Sequence, residues 1–426
     1  MITGANSASY QASPEEIGTS IELFTGGGGL ALAMHRAGFR HLLAVEWDKR
    51  ACATLLGNTA DAFSPKEQDP ASIEDRWPLI HGDVRAVEFS RWQGSVDVVA
   101  GGVPCQPWSL GGAHKGYDDP RNLWPDLFRC IRETRPRAVI AENVKGLLRP
   151  SFKPYYDYIL RELSAPFESR VEGEDWRDHD GRLRKALARS PSDATERYSV
   201  KYLAVNAADY GVPQTRWRVF VVAFREDLGR EDWDFPAATH SEAALINHQA
   251  SGEYWAQHGI AARDAMAPGL IRAPEGRLPW RTLRDAIADL PPPVEGKEHP
   301  PWLHHYGWPG AREYPGHTPN DLDRPAKTVK AGVHGVPGGE TVVRLDDGTI
   351  RYMSVREVAR VMTFPDNWWL AGPRGEQMRQ LGNAVPVELG RVIADSVAAA
   401  LRPTLNEPGR DLEIDHGTPV ARADSR

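Results

Sequence analysis

The stretch from residue 20 to residue 46 constrains the fold more than any other. SIELF at 20–24 is short and apolar, as a buried strand is, and it runs into four consecutive glycines, Gly26 to Gly29. LALAMHRA at 30–37 then carries a helical apolar period, and Gly38 supplies the left-handed residue that closes a helix. HLLAV at 41–45 returns as a second strand with Glu46 at its end. Strand, glycine turn, helix and strand in this order open a parallel sheet with helices on its faces. The alternation continues with a helix over DKRACATLLGN (48–58), a third strand at 80–84, VDVVA at 96–100 and AVIAENV at 138–144. YSVKYLAVNA (198–207) and RVFVVAF (218–224), separated by DYGVPQT, suit a hairpin added to that sheet. The expected class is therefore α/β, Rossmann-like, with a smaller lobe attached.

The lobe is read from a change of texture. Residues 165–196 are charged and without period, which predicts a surface insertion. From 226 to about 323 Pro, Trp and His are frequent and apolar runs are short, which predicts a second lobe, placed over 226–378. Within it, WRTLRDAIADLPPP (280–293) reads as an amphipathic helix closed by prolines, and VREVARVMTF (355–364) as another. GNAVPVELGRVIADSVAAAL (382–401) reads as a further helix, apolar enough to pack on the main sheet. The main domain is thus expected over 18–225, completed by 379–402, with a disordered polar tail at 403–426.

Composition narrows the setting. No apolar run approaches the roughly 20 residues of a membrane span, and the first residues lack the basic start and apolar core of a signal peptide. Three cysteines make neither a disulfide framework nor a ready zinc site, so no metal and a reducing cytoplasm are expected. The net charge of −7 argues against a nucleic-acid partner, but weakly, because a basic cleft can sit on an acidic protein.

The ends of successive strands carry the candidate ligand groups. The glycine cluster lets a ligand approach the backbone closely. It lacks the Lys-Ser/Thr of a phosphate loop, and its spacing is not a clean dinucleotide fingerprint. Glu46 stands at the spacing from which a carboxylate grips a ribose diol, Trp47 beside it can stack on adenine, and Asp83 in GDVR can accept from an exocyclic amine or simply cap a turn. Three strand ends in one order point to an adenosine ligand without phosphates, which S-adenosylmethionine fits better than a dinucleotide. After VDVVA comes GGVPCQPWS, where Pro104 and Pro107 stiffen the backbone around Cys105 at a carboxyl strand end. Gly111, Gly112 and Gly116 follow, as in a loop that closes over a substrate. Cys52 and Cys130 read instead as small buried hydrophobes.

Taken in order, these residues resemble the cytosine carbon-5 DNA methyltransferases of bacterial type. The similar motifs are ELFTGGGG, EWD (46–48), GDV (82–84), PCQ (104–106), ENV (142–144), QTRWR (214–218), VREVARVMTFP and GNAVP (382–386), in the family's order. Two departures are mild: Glu22 stands where the family usually has Asp, and four glycines run together. The transfer-RNA branch of the family carries a Cys-Phe-Thr tripeptide that is absent here.

The resemblance implies a Rossmann-like, S-adenosylmethionine-dependent methyltransferase sheet with a target-recognition lobe. It implies Cys105, Glu142, Arg216 and Arg218 as catalytic residues. It also implies a cofactor site of Phe24, Gly26, Gly28, Gly29, Leu30, Glu46, Trp47, Asp83, Val84, Pro104 and Asn383. Cys105 would attack carbon 6 of a cytosine flipped out of duplex DNA, and Glu142, its pKa raised by burial, would bind ring nitrogen 3 and the exocyclic amine. Arg216 and Arg218 alternate on extended chain, so one or both would face the base or hold Cys105 and Glu142; a phosphate-facing pair is the blander reading. No side chain stands out as the base that takes the carbon-5 proton, which leaves a water or hydroxide. The loop around Cys105, with Gln106, Ser109, Lys115 and Arg121, would fill the gap in the duplex. RPAKTVKAG (324–332), Arg344, Arg351 and Arg356 would lie along the DNA. The implied partners are double-stranded DNA and a cognate restriction endonuclease, with the chain itself monomeric.

Overall fold

A computed structural model of the chain describes residues 14–104, 122–262, 272–313, 318–331 and 341–405. Its centre is an eight-stranded sheet with the order β3-β4-β2-β1-β5-β6-β8-β7. These strands are β1 (Gly18–Leu23), β2 (Phe39–Glu46), β3 (Ala60–Ala62), β4 (Trp77–His81), β5 (Val98–Gly102), β6 (Ala138–Val144), β7 (Tyr198–Asn206) and β8 (Trp217–Arg225). Only β8 runs against its neighbours, pairing antiparallel with both β6 and β7. The start of β8 therefore lies at the carboxyl edge of the parallel strands, with Arg218 opposite Val144.

Helices cover both faces. On one, α3 (Trp124–Thr134) and α4 (Lys153–Ser164) bury Leu127, Ile131, Tyr158 and Ile159 against Val99, Val139 and Val219. On the other, α1 (Gly29–Arg36) and α11 (Val387–Leu405) bury Met34, Leu389, Ile393 and Val397 against Val98, Ile140 and Phe220. Alternate residues of each buried strand thus feed the two faces, which is why these strands read as continuous apolar runs.

A third cluster joins this sheet to the rest of the chain. Ala33, Leu55 and Trp77 share a core with Leu283, Val343, Val358, Met362, Trp368 and Leu381. These come from α1, α2 (Lys49–Asn58), α8 (Leu283–Ile287), α9 (Val355–Val361), α10 (Arg374–Asn383) and the segments between them. Polar contacts tighten the seam: Thr54 Oγ1 donates to Gln380 Oε1 at 2.6 Å and accepts from the Ala371 amide at 2.9 Å. The region expected as a second lobe is therefore continuous with the main core along this seam. Its outer part holds α6 (Glu242–Ala250), α7 (Glu253–His258) and short strands β9 (His240–Ser241) to β13 (Ile350–Tyr352).

Several sequence expectations are corrected. The third strand, placed at 80–84, is β4 over Trp77–His81; Asp83 accepts from the Arg85 amide and caps a 3-10 turn that contains Val84. The stretch 165–196 is not featureless, because α5 (Trp176–Leu187) forms there, N-capped by Asp175 and packed through His179 and Leu183. The helix read at 280–293 shrinks to α8, five residues held by a Thr282–Asp285 capping box. The helix read at 382–401 is broken. Gly382 and Asn383 end α10, Ala384 is extended, and α11 begins only after Pro386, because the residue before a proline avoids helical backbone. Helix α11 runs to Leu405, past the boundary placed at 402.

Candidate active site

A cleft of about 900 Å³ opens at the carboxyl edge of the sheet, where β1, β2, β4, β5 and β6 end together. The glycine turn forms its floor. Phe24 and Gly26 both take positive φ, 58° and 56°, which swings the chain sharply off β1. The Thr25 hydroxyl anchors the turn by donating to the carbonyl of Val45 at 3.1 Å. Gly27, Gly29 and Leu30 line the cleft with them. Gly29 permits a close approach, since a Cβ there would stand 2.3 Å from the Val385 carbonyl oxygen.

Gly28 does not line the cleft and is corrected to a packing residue. It N-caps α1 at φ 92°, and a Cβ would meet Trp368 at 2.9 Å and Leu55 at 3.0 Å. Trp368 also donates from its indole to the Gly27 carbonyl at 3.1 Å. A tryptophan far along the chain thus holds the turn in shape, a role no local pattern marks.

The acidic strand ends surround this turn. Glu46 accepts from the Gly26 amide at 2.6 Å and the Asp48 amide at 2.7 Å, and burial raises its pKa. Trp47 beside it is 69% exposed at the mouth of the cleft. Asp83 and Val84 line the opposite wall; the Arg85 guanidinium forks onto Asp83, and its hydrogen bonds lower the carboxyl pKa. Glu22, below the turn, is buried with its Oε2 unpartnered, and burial raises its pKa well above the usual range. Two strand-end carboxylates, an exposed aromatic plate and an orphaned polar atom around a glycine turn suit S-adenosylmethionine. Glu46, Trp47, Asp83 and the glycine turn would hold it.

The second half of the cleft is built on β5, β6 and β8. Glu142 pairs in register with Gly102, two residues before Pro104. Asn143 donates from its side chain to the Val103 carbonyl at 2.9 Å and so ties β6 to the segment that leads to Cys105. Pro104 lines the cleft; Cys105 and its glycine-rich loop lie outside the described residues. Glu142 is buried, and that burial raises its pKa against the opposing pull of Arg218. Arg218 Nε stands 2.7 Å from Glu142 Oε1 as an ion pair, yet Oε1 makes no aligned hydrogen bond.

Arg216 is different. It is fully buried and donates to the carbonyls of Val329 at 2.7 Å, Gly382 at 2.6 Å and Ala384 at 3.0 Å. Its reading as a catalytic or phosphate-facing group is corrected to that of a positioning residue. It clamps residues 328–331 and 382–385 onto β8, and both segments, Asn383 included, line the cleft. Gln214 assists by accepting from the Val329 amide at 2.9 Å.

Among the basic residues read as DNA-facing, Arg356 is corrected. Arg356 is fully buried and donates to the carbonyls of Leu303, Pro365 and Trp368. Arg324, Arg344 and Arg351 pair with Glu242, Glu313 and Glu357. Cys52 and Cys130 are free and buried, as read, and burial pushes the Cys52 thiol up to about 12.

A Rossmann-like sheet with this cleft at its carboxyl edge belongs to the α/β proteins that bind an adenosine-type ligand there. The family model for C-5 cytosine-specific DNA methylases matches residues 18–165 and 192–399, and the chain belongs to that family. It is accordingly a DNA cytosine-5 methyltransferase, and methyl transfer in this family implies S-adenosylmethionine as donor. Among similar proteins is the type II methyltransferase M.Eco47II of Escherichia coli, 30% identical over 394 residues, covering 90% of this chain and 79% of that one. Another is M.NgoMIV of Neisseria gonorrhoeae, 28% identical over 391 residues, covering 90% and 98%. The S. pombe Dnmt2 methyltransferase shares the fold with a TM-score of 0.51 at 14% identity, covering 91% of this chain and 99% of its own.

Proposed function

We propose that the chain methylates carbon 5 of a cytosine flipped out of double-stranded DNA, through a transient covalent adduct of Cys105. Cytosine carbon 5 is a poor nucleophile, and the stacked duplex hides it. Attack of the Cys105 thiolate on carbon 6 forms an S–C bond and moves the ring's electron pair toward carbon 5. S-adenosylmethionine supplies the methyl group that carbon 5 accepts. Loss of the carbon-5 proton to a water or hydroxide then re-forms the double bond and releases the thiolate, with S-adenosylhomocysteine left as the demethylated donor. Glu142, its pKa raised by burial, gives ring nitrogen 3 a proton or hydrogen bond as charge builds there, and Arg218 orients that carboxyl.

The observation that carries this reading is the buried Glu142 beside Gly102, paired with Arg218, in the same cleft as the glycine turn and Glu46. Residues 18–225 with 379–402 would act as the catalytic unit, and 226–378 would carry target recognition. The type II relatives support a restriction–modification setting with a cognate endonuclease.

The test is incorporation of labelled methyl groups from S-adenosylmethionine into duplex DNA or transfer RNA. Label in DNA is expected; label only in RNA overturns the reading. Cys105→Ala should abolish turnover while cofactor binding persists. Duplex carrying 5-fluorocytosine should trap the wild-type chain covalently, since fluorine does not leave as the proton does, and a variant that still methylates would remove Cys105 as nucleophile.

A further inference from the structure

Beside the cleft, next to Val144 of its lining, stands a pair of side chains that the chemistry above does not use. Trp217 stands between the two arginines of QTRWR at the first position of β8. Strand alternation turns it away from Arg216 and Arg218, toward the face where Val219 and Val221 pack. Because β8 is antiparallel, this position lies beside the end of β6, one step beyond the Arg218–Val144 pair. Its indole is 44% exposed. Lys145, the residue that follows β6, holds its ammonium 3.8 Å from the centroid of that ring. Val144 lines the cleft next to it. Lys145 thus stands three residues past Glu142, about 10 Å along extended chain.

The charge of this pair is the informative part. The chain is acidic overall, and the arginines once read as DNA-facing are matched by carboxylates, Arg324 with Glu242 and Arg344 with Glu313. Among the described residues Lys145 has an aromatic ring as its partner and no carboxylate. A ring holds a cation through its quadrupole, worth about 0.5–1 kcal/mol at an exposed site, and leaves the charge unneutralised. It also restrains a side chain that otherwise loses roughly 2 kcal/mol of rotamer freedom on meeting an anion. A restrained cation with no carboxylate partner among the described residues, one residue past the Val144 that lines the cleft, suits an anion that stays outside while something neutral goes in.

A flipped nucleotide meets that description: its base enters and its phosphates remain outside. We propose that Lys145 and Trp217 clamp the backbone of the DNA strand that carries the target cytosine. Lys145 pairs with a phosphate next to the flipped nucleotide, and the exposed edge of the Trp217 indole packs on the adjoining sugar. This rests on the reading that the cytosine reaches Glu142.

Binding of a short fluorescein-labelled duplex of mixed sequence, followed by anisotropy between about 50 and 200 mM salt, tests the clamp. Lys145→Ala should weaken binding and reduce the slope of log affinity against log salt by about 1, whereas Lys145→Arg should keep the wild-type slope. Trp217→Ala should weaken binding in the same direction, and Trp217→Phe should retain most of it. In methylation of unmodified plasmid DNA, Lys145→Ala should raise KM for DNA more than it lowers kcat, with cofactor affinity and unfolding midpoint as in wild type. An unchanged salt slope in Lys145→Ala, in a preparation whose wild type methylates DNA, overturns the clamp alone. A wild type that methylates no DNA overturns the underlying reading instead.

Discussion

Replacing Arg216 by methionine separates a clamp from a substrate-binding group. The variant keeps an apolar stem of similar length and loses every donor. In the native chain the guanidinium serves three buried carbonyls, those of Val329, Gly382 and Ala384. Leaving them without a donor costs about 1–3 kcal/mol each, roughly 3–9 kcal/mol together. Against this, removing a buried cation returns several kcal/mol of desolvation; that burial, with Arg218 adding to it, already pulls the Arg216 pKa well below the usual arginine range. The balance is a loss of about 2–4 kcal/mol, a large part of the 5–15 kcal/mol typical of a folded protein. Residues 328–331 and 382–385 share this anchor and line the cleft, so cofactor affinity should fall about tenfold, the equivalent of 1.4 kcal/mol. Urea unfolding at equilibrium should show a lower midpoint with an unchanged slope, and titration calorimetry should show the weaker cofactor binding. A variant within about 0.5 kcal/mol of wild type, with cofactor binding intact and DNA binding lost, would refute the clamp and restore a DNA-facing role.

The Glu142 carboxyl, its pKa raised by burial, keeps its proton above the usual carboxylate range, so kcat/KM should fall as pH rises through that raised pKa. Glu142→Gln should lower kcat about 10²–10⁴-fold and flatten that alkaline limb; a limb that persists assigns the titration elsewhere. The same shift makes the folded state bind the extra proton, so it favours folding at low pH and is lost as pH rises from the unfolded carboxyl value through the folded one, and Glu142→Gln should remove that slope from unfolding curves. Gly28→Ala should destabilise by about 2–3 kcal/mol, because it adds a clash with Trp368 to the left-handed backbone, whereas Gly26→Ala, with nothing within 4 Å of its Cβ, should lose only about 1 kcal/mol. Equal losses in thermal unfolding would contradict this. Trp47→Ala should leave stability nearly unchanged, since the indole is 69% exposed, while calorimetry should show cofactor affinity weaker by about 1–3 kcal/mol, the worth of one aromatic stack on a base.

What the sequence discloses is local, and what it conceals depends on partners far along the chain. The glycine turn, the Glu46 strand end and AVIAENV could be read because strand period, positive φ and a terminal acid lie within a few residues of each other. The AVIAENV strand is found at its expected bounds. Helix α10 was invisible because its buried face includes Gln377 and Gln380, polar residues that carry no apolar period. They are buried through bonds that Gln377 Nε2 and Gln380 Nε2 give to the carbonyls of Leu370 and Ala371. Arg216 and Arg356 fail for the same reason. A positive charge in a sequence has no address, and an arginine among carbonyl groups looks like one facing phosphate until the opposing segments are known. Trp368, which shapes the glycine turn across 341 positions of sequence, is of the same kind.

The arginines lining the cleft show what kind of ligand that site is built for. Arg85, Arg218 and Arg379 are each paired with a carboxylate of the same cleft, Asp83, Glu142 and Asp48 respectively. A pyrophosphate would have to break one of these pairs, and the glycine turn brings no lysine of its own to replace it. S-adenosylmethionine carries no phosphate; its ammonium and carboxylate balance one another and its sulfonium is a cation, so it can enter without taking an arginine from its carboxylate. The absence of a phosphate loop in the sequence and the internal pairing of these arginines thus give the same answer by independent routes. The proposed source of charge for DNA lies instead beside the cleft, where Lys145 stands against Trp217.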